Sequence, residues 1–489
     1  MSEKIVVVGS GFSALAAATT LADAGKNVIV LEKNEQTGGR ARQFEASGFT
    51  FDMGPSWYWM PDVFESYFNR FGKKVSDYFE LKRLDPSYRV FFGKDDYLDL
   101  PADYNSFKAL FEQIEKGSGE KLDEFMNEAQ YKYEVGMQDL VHKPGKSILE
   151  FAQWRVVSGV FRLQLFQSLS KHVRKFFSNE KLTKLMEFPV LFLGAKPQET
   201  PALYSLMNYA DVKLGTWYPM GGMHKIVEAM TLLAKEKGVE IILDCEVKKL
   251  QAKNEKVVKA ITTKGDFEAD QFISGADYHH TDKQLLDREF HNYTEEYWDR
   301  RKMAPSSLLF YLGVDKKLKN LLHHNLFFDE DFNQHAVEIY DEPQWPSKPL
   351  FYVCAPSLTD KSVAPEACEN LFILMPVAHN LEDKEEVREK YYHLIMDRLE
   401  SLTNQEIRSH VIYKKSYAHT DFVNDYHAFK GNAYGLANTL GQTAVLKPSI
   451  KNKKLKNLHY TGQLTTPGPG VPPSLISGQV VANEVLKTL

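Results

Sequence analysis

The run Ile5-Val6-Val7-Val8 leads directly into Gly9-Ser10-Gly11-Phe12-Ser13-Ala14 and then into an alanine-rich stretch. Four β-branched residues favour a strand, Gly-Ser-Gly a tight turn, and the alanines a helix. A chain that begins this way is bound to place a buried strand beside a helix that folds back along it. Ile5 to Ala22 carries no charge and approaches the length of a membrane span. Gly9 and Gly11 interrupt it, so the sequence predicts neither a transmembrane helix nor a cleaved leader.

The six residues Gly9 to Ala14 fit the G-x-G-x-x-A form of the dinucleotide fingerprint. The first glycine permits the turn, the second lets backbone approach a pyrophosphate, and the third small residue lets helix and strand pack closely. The helix that starts there points free amides and its positive end at the phosphates. Lys26 to Leu31 is a second apolar strand that ends on Glu32, followed by Lys33. An acid about 20 residues beyond the glycines accepts hydrogen bonds from a ribose diol. Gly38-Gly39-Arg40 follows within one short loop: the glycines let amides lie against a diphosphate, and the guanidinium can clamp its oxygens. Phe49 to Asp52 alternates as a strand and runs into the rigid turn Met53-Gly54-Pro55-Ser56.

Together, GSGFSA, Glu32-Lys33, GGRAR and FDMGPSW resemble the amino-terminal half of the FAD-dependent amine oxidase and carotenoid desaturase superfamily. Asn457 to Gln463 is similar to that family's second FAD strand. Pro467 to Pro472 resembles the flavin-facing loop of bacterial-type phytoene desaturases. Between the ends, Tyr218 to Met223, Val239 to Val247 and Ile273 to Asp277 match further family segments, and Phe188 to Asp211 is most similar to phytoene desaturases of flavobacterial type. Gly275 stands where the family usually has Asn, and Lys447-Pro448 replaces its Arg-Pro.

The resemblance implies an α/β fold: a discontinuous, Rossmann-type FAD-binding domain (1–75, 215–290 and 445–489) and an α+β substrate- and membrane-associating lobe (76–214 and 291–444). It implies FAD held by Gly9, Ser10, Gly11, Phe12, Ser13, Ala14, Glu32, Lys33, Gly38, Gly39, Arg40, Met53, Gly54, Pro55, Ser56, Val247, Gly462, Gln463, Gly470 and Val471. Trp57, Tyr58 and Trp59, with Trp217 and Tyr218, follow the motifs closely and are expected to line the flavin end of a substrate channel.

The implied activity is carotenoid desaturation, with phytoene as the first substrate. The alternatives are 3,4-desaturation of a 1-hydroxylated carotenoid, carotenoid isomerisation, amine oxidation, or a flavin-free lipid escort. Oxygen or a quinone would be the electron acceptor. Ile148 to Phe177 has apolar residues at helical spacing (Ile148, Phe151, Trp154, Val157, Phe161, Leu165, Leu169, Val173, Phe176) with five basic residues against the single acid Glu150. Such a helix can lie in a headgroup interface, so the chain is expected to associate peripherally with the cytoplasmic side of the cell membrane. A net charge of −5 recommends no nucleic-acid partner. Three cysteines form no disulfide framework, and His279-His280 and His323-His324 have no cysteine or carboxylate at ligand spacing, so no metal is expected. No general base is identifiable.

Overall fold

The computed structural model describes residues 3–147, 150, 163–164 and 167–489. The opening motif forms strand β1 (Lys4–Val8), helix α1 (Phe12–Asp23) and strand β2 (Asn27–Leu31), with Ile5 beside Val28 and Val8 beside Leu31 in a parallel pair. Distant parts of the chain complete this sheet. Helix α2 (His224–Glu236) leads into β3 (Glu240–Ile242), followed by β4 (Gln271–Ser274) and β5 (Leu458–Tyr460), which precedes helix α3 (Val471–Leu486). The five parallel strands lie in the order β5-β4-β1-β2-β3.

Both faces of the sheet are covered, which is why its strands read as unbroken apolar runs. Ile5, Val7, Val28 and Val30 pack with Leu15, Val227 and Val481, on α1, α2 and α3. Val6, Val8, Ile29 and Leu31 pack with Leu250, Val257, Tyr278 and Trp298 on the opposite face. Ala14 sits where α1 meets the sheet. A Cβ at Gly275 would lie 2.8 Å from the Ala14 methyl, so alanine at the fingerprint's third small position is matched by glycine across from it.

A second sheet has seven strands, in the order Val411–Tyr417, Ser306–Val314, Glu369–Val377, Phe351–Cys354, His324–Phe327, Tyr88–Gly93 and Asp96–Leu100. Its pleat divides two cores. Leu309, Tyr311, Tyr352 and Phe372 join the core of the first sheet; Leu308, Phe310, Leu371 and Ile373 pack against Tyr391, Ile395 and Leu399 of the helix Glu385–Thr403.

Most of the basic amphipathic stretch expected over Ile148 to Phe177 lies outside the described residues. At its described end, the helix Leu169–Val173 buries Leu169 and Val173 in the main core, because their neighbours Phe125 and Phe177 offer an apolar face. Among the described residues, no helix is long and apolar enough to cross a membrane.

Candidate functional site

The turn after β1 is shaped by local hydrogen bonding. The Gly9 amide donates to the Leu31 carbonyl (2.8 Å), with Gly9 in the left-handed region at φ +86°, which favours glycine. The Gly38 amide donates to the Ser10 carbonyl (3.0 Å), so the Gly38-Gly39-Arg40 loop crosses over the fingerprint. Gly11 lies between turn and helix in ordinary extended conformation (φ −70°, ψ 176°), and a Cβ there would meet no atom within 4 Å. That open side faces a cavity of about 370 Å³. No side chain caps the first turn of α1, which leaves its amides to a ligand.

The cavity gathers Gly9 to Ser13, Glu32, Lys33, Gly38 to Arg40, Met53 to Trp57, Trp59, Val247, Gly462, Gln463, Gly470 and Val471. The carboxyl-terminal segments arrive through β5 and α3: Gly462 donates its amide to Ser477 Oγ (3.0 Å), and a Cβ on it would lie 3.3 Å from Ser13 Oγ. Four predicted residues are not brought to the cavity. Ala14 is used in packing against Gly275. Tyr58 is fully buried and stacked on Phe64 at 4.6 Å, because on extended chain it points away from its neighbours Trp57 and Trp59. Trp217 donates its indole N–H to the Leu214 carbonyl (2.8 Å), and Tyr218 lines a smaller adjoining cavity.

Glu32 is buried at the end of β2 and accepts from the Ser10 amide (2.8 Å) and hydroxyl (2.6 Å) on one oxygen. Its other oxygen accepts from the Asn34 amide (2.9 Å) and side chain (3.0 Å). The carboxylate therefore also pins the fingerprint turn. Arg40 and Arg42 differ in their charge partners. Arg42 pairs with Asp425 at 2.5 Å, whereas among the described residues no carboxylate lies in ion-pair range of Arg40. The Arg40 Nε is buried with no hydrogen-bond partner, its guanidinium sits 5.0 Å over the Tyr426 ring, and burial pulls its pKa down. A guanidinium without a directly paired carboxylate, lining a glycine-rich cavity, is suited to an anion, although Asp277 on the same cavity acts on it electrostatically. Asp277 also lines the cavity, and burial raises its pKa.

The far wall was not foreseen from sequence. Ser307, Leu309, Tyr352, Phe372 and Leu374 come from the second sheet, with Met207 and Tyr434 beside them, and Tyr426 covers the arginines. The wall is largely apolar and aromatic, so the cavity joins a polar, phosphate-suited end to a greasy one.

A model of the family described as flavin containing amine oxidoreductase matches residues 12–486. The chain belongs to that family. It is 40% identical over 488 residues to a carotenoid 3,4-desaturase of Haloarcula japonica, covering 100% of this chain and 99% of the relative. It is 30% identical over 491 residues to a zeta-carotene-forming phytoene desaturase of Myxococcus xanthus, covering 99% and 94%. Among solved structures, an oxidoreductase from Methanosarcina mazei superposes with a TM-score of 0.65 at 17% identity, over 98% of this chain and 100% of the other. The chain is an FAD oxidoreductase, and the residues at the cavity fit that cofactor. Gly11 leaves space where a side chain would project, α1 presents uncapped amides, and the buried Arg40 Nε has no hydrogen-bond partner.

Glu32→Ala is expected to weaken FAD retention by about 1.5–3 kcal/mol, the worth of a hydrogen bond to a charged group, or roughly 10- to 150-fold. The ratio of flavin to protein after extensive dialysis reads this directly; full occupancy would refute a ribose-binding role.

Lys447, the departure from the family's arginine, is buried. It donates to Asn438 Oδ1 at 2.9 Å, and both groups lie 3.0 Å from where a Gly468 Cβ would stand. Burial pulls its ammonium down to about 7. Between pH 7 and the unfolded lysine pKa near 10.4, the unfolded chain binds the extra proton, so stability rises with pH across that window and the burial cost is complete below it. Lys447→Met should therefore raise the melting temperature at pH 6 by roughly 2 °C or more, and the gain should shrink by pH 9.5. Melts at both pH values check the sign.

Proposed function

We propose that this enzyme is an FAD-dependent carotenoid desaturase that introduces C=C bonds into a linear carotenoid. The observation that carries the reading is the full-length 40% identity to a carotenoid 3,4-desaturase, supported by the aromatic and aliphatic wall of the cavity. Converting CH2–CH2 to CH=CH removes a hydride and a proton from carbon. FAD, when bound, supplies the hydride acceptor that no side chain provides. The chain's residues hold that cofactor through Gly9 to Ser13, Glu32 and Arg40, and Leu309, Phe372 and Leu374 exclude water from the polyene. The two electrons, and with them the two protons, leave to an external acceptor, oxygen or a membrane quinone.

Phytoene is the substrate favoured by the resemblance of Phe188 to Asp211 and by the 30% identity to a phytoene desaturase. The 3,4-bond of a hydroxylated carotenoid is the second reading, favoured by the higher identity to the 3,4-desaturase. Expression in bacteria that accumulate phytoene, or alternatively a hydroxylated carotene, separates the two: pigment should lose two hydrogens per new bond in one host. Unchanged mass in both hosts would sink the reading, and isomerised product of unchanged mass would indicate isomerisation.

A carotenoid is insoluble, since each methylene costs about 0.8 kcal/mol to expose, so the substrate enters from a bilayer and the enzyme docks peripherally on the cell membrane. Trp154→Glu combined with Phe161→Glu should abolish co-sedimentation with liposomes; undiminished binding would exclude this segment as the anchor.

A further inference from the structure

His323, His324 and Cys354 carry no role in the site described above, and the sequence alone separates the cysteine from the histidines by thirty residues. The second sheet brings them together. His324 pairs directly with Cys354 across antiparallel strands, and His323 precedes it at the strand end. The three side chains are more than nine-tenths buried, with potential ligand atoms of all three within 4.8 Å of one another.

The hydrogen bonding around the rings is one-sided. His323 Nδ1 lies 2.8 Å from the Thr359 hydroxyl, and His324 Nδ1 lies 2.6 Å from the Tyr352 hydroxyl. The Tyr352 hydroxyl in turn donates to Ser56 Oγ (3.0 Å). With both Nδ1 atoms engaged in this way, both Nε2 atoms are buried with no hydrogen-bond partner. A buried polar atom left unsatisfied costs about 1–3 kcal/mol. Imidazoles that ligate metals characteristically have one nitrogen fixed by an outer hydrogen bond and the other free. Against His323 and Cys354 lies a cavity of about 20 Å³, enough for one water or ion, and Asp52 on the same cavity adds a carboxyl group.

We propose that His323, His324 and Cys354 bind one borderline-soft divalent cation of the zinc type, with the fourth position open to a water in the adjoining cavity. A nitrogen and sulfur donor set selects zinc over magnesium or calcium. Binding releases one proton, as Cys354–SH plus M2+ gives the metal thiolate and H+. The cation would tie two strands of the second sheet together. Through Trp57, stacked on His324 at 4.1 Å, it would also stiffen the wall of the FAD cavity.

The test uses the chelator-treated, dialysed holoenzyme. Zn2+ should bind at one equivalent per chain by calorimetry, and Co2+ should give the tetrahedral absorption bands of a thiolate complex in the red, clear of flavin absorption. Cys354→Ala should remove those bands, and both it and His324→Gln should weaken zinc binding at least ~10-fold. His410→Ala, altering an exposed histidine beside Asp315, and Cys368→Ser should leave both signals unchanged. Absence of the cobalt bands in the unsubstituted enzyme would overturn the proposal whatever the variants' folding, as would zinc affinity undiminished by Cys354→Ala. Flavin content, followed in parallel, reports the FAD site independently.

Discussion

Gly11→Val is expected to purify as a folded, colourless protein. The usual reason for a glycine, a left-handed backbone, does not apply here: φ −70° and ψ 176° are comfortable for valine. No protein atom lies within 4 Å of the added Cβ, so the branch point itself meets no clash in the apoprotein. What the side chain enters is the cavity that Gly11 and Gly39 line together; the two turns are close, since a Cβ on Gly39 would come 3.4 Å from the Gly11 Cα. Two branched methyl groups would occupy the space a diphosphate needs between this turn and Arg40. Overpacking of that kind costs about 3 kcal/mol, so affinity should fall roughly 100-fold or more. The expected result is absorbance without flavin bands and a far-UV spectrum like that of the apoprotein. A yellow, active Gly11→Val would show that the pyrophosphate does not lie on this turn. Gly9→Val is a different substitution, since Gly9 at φ +86° would strain the backbone itself and damage the fold as well.

The polar half of this site was legible because short-range rules govern it. A strand, a turn that requires Gly9, and a helix with its amides exposed must be adjacent in sequence, and Glu32 ends the next strand one helix later. The apolar wall was not legible. Its strands are covered on both faces, so Ser306 to Val314 and Glu369 to Val377 are uninterrupted runs in which alternation does not separate Leu309 and Phe372 from Leu308 and Leu371. The same limit explains Tyr58. Proximity to Gly54-Pro55 suggested the cavity, but on extended chain only alternate residues can share a side, and Trp57 and Trp59 took it. His323-His324 and Cys354 are joined by strand pairing, for which local spacing carries no signal. Gly275 was visible as a departure, yet its meaning needed the partner: Ala14 fills the volume that a third fingerprint glycine would leave open.

Gly478→Ala should lower both stability and flavin content, and Gly478→Leu should yield no soluble flavoprotein. Helices α1 and α3 come from opposite ends of the chain and cross with backbones nearly touching. A Cβ on Gly478 would stand 2.1 Å from the Ser13 carbonyl oxygen and 2.9 Å from the Ala16 methyl. The obstructing atom is backbone, held on a helix that is itself buried from Phe12 to Ala22 between the sheet, α2 and α3, so no side chain can swing aside. The helices must separate, which costs about 1–3 kcal/mol for a single methyl and opens the apolar contact behind it. Separation also moves Ser477, whose hydroxyl accepts the Gly462 amide, and with it the loop that closes the cofactor cavity from the carboxyl-terminal side. Stability and flavin retention should therefore fall together in Gly478→Ala, unlike Gly11→Val, where the cofactor is lost and the fold kept. Gln479→Ala, the adjacent half-buried position on α3, serves as the control and should change neither. Thermal melts with flavin-to-protein ratios on the three proteins decide the matter; a Gly478→Ala enzyme with unaltered melting temperature and full flavin would mean that the two ends of the chain are not docked this closely.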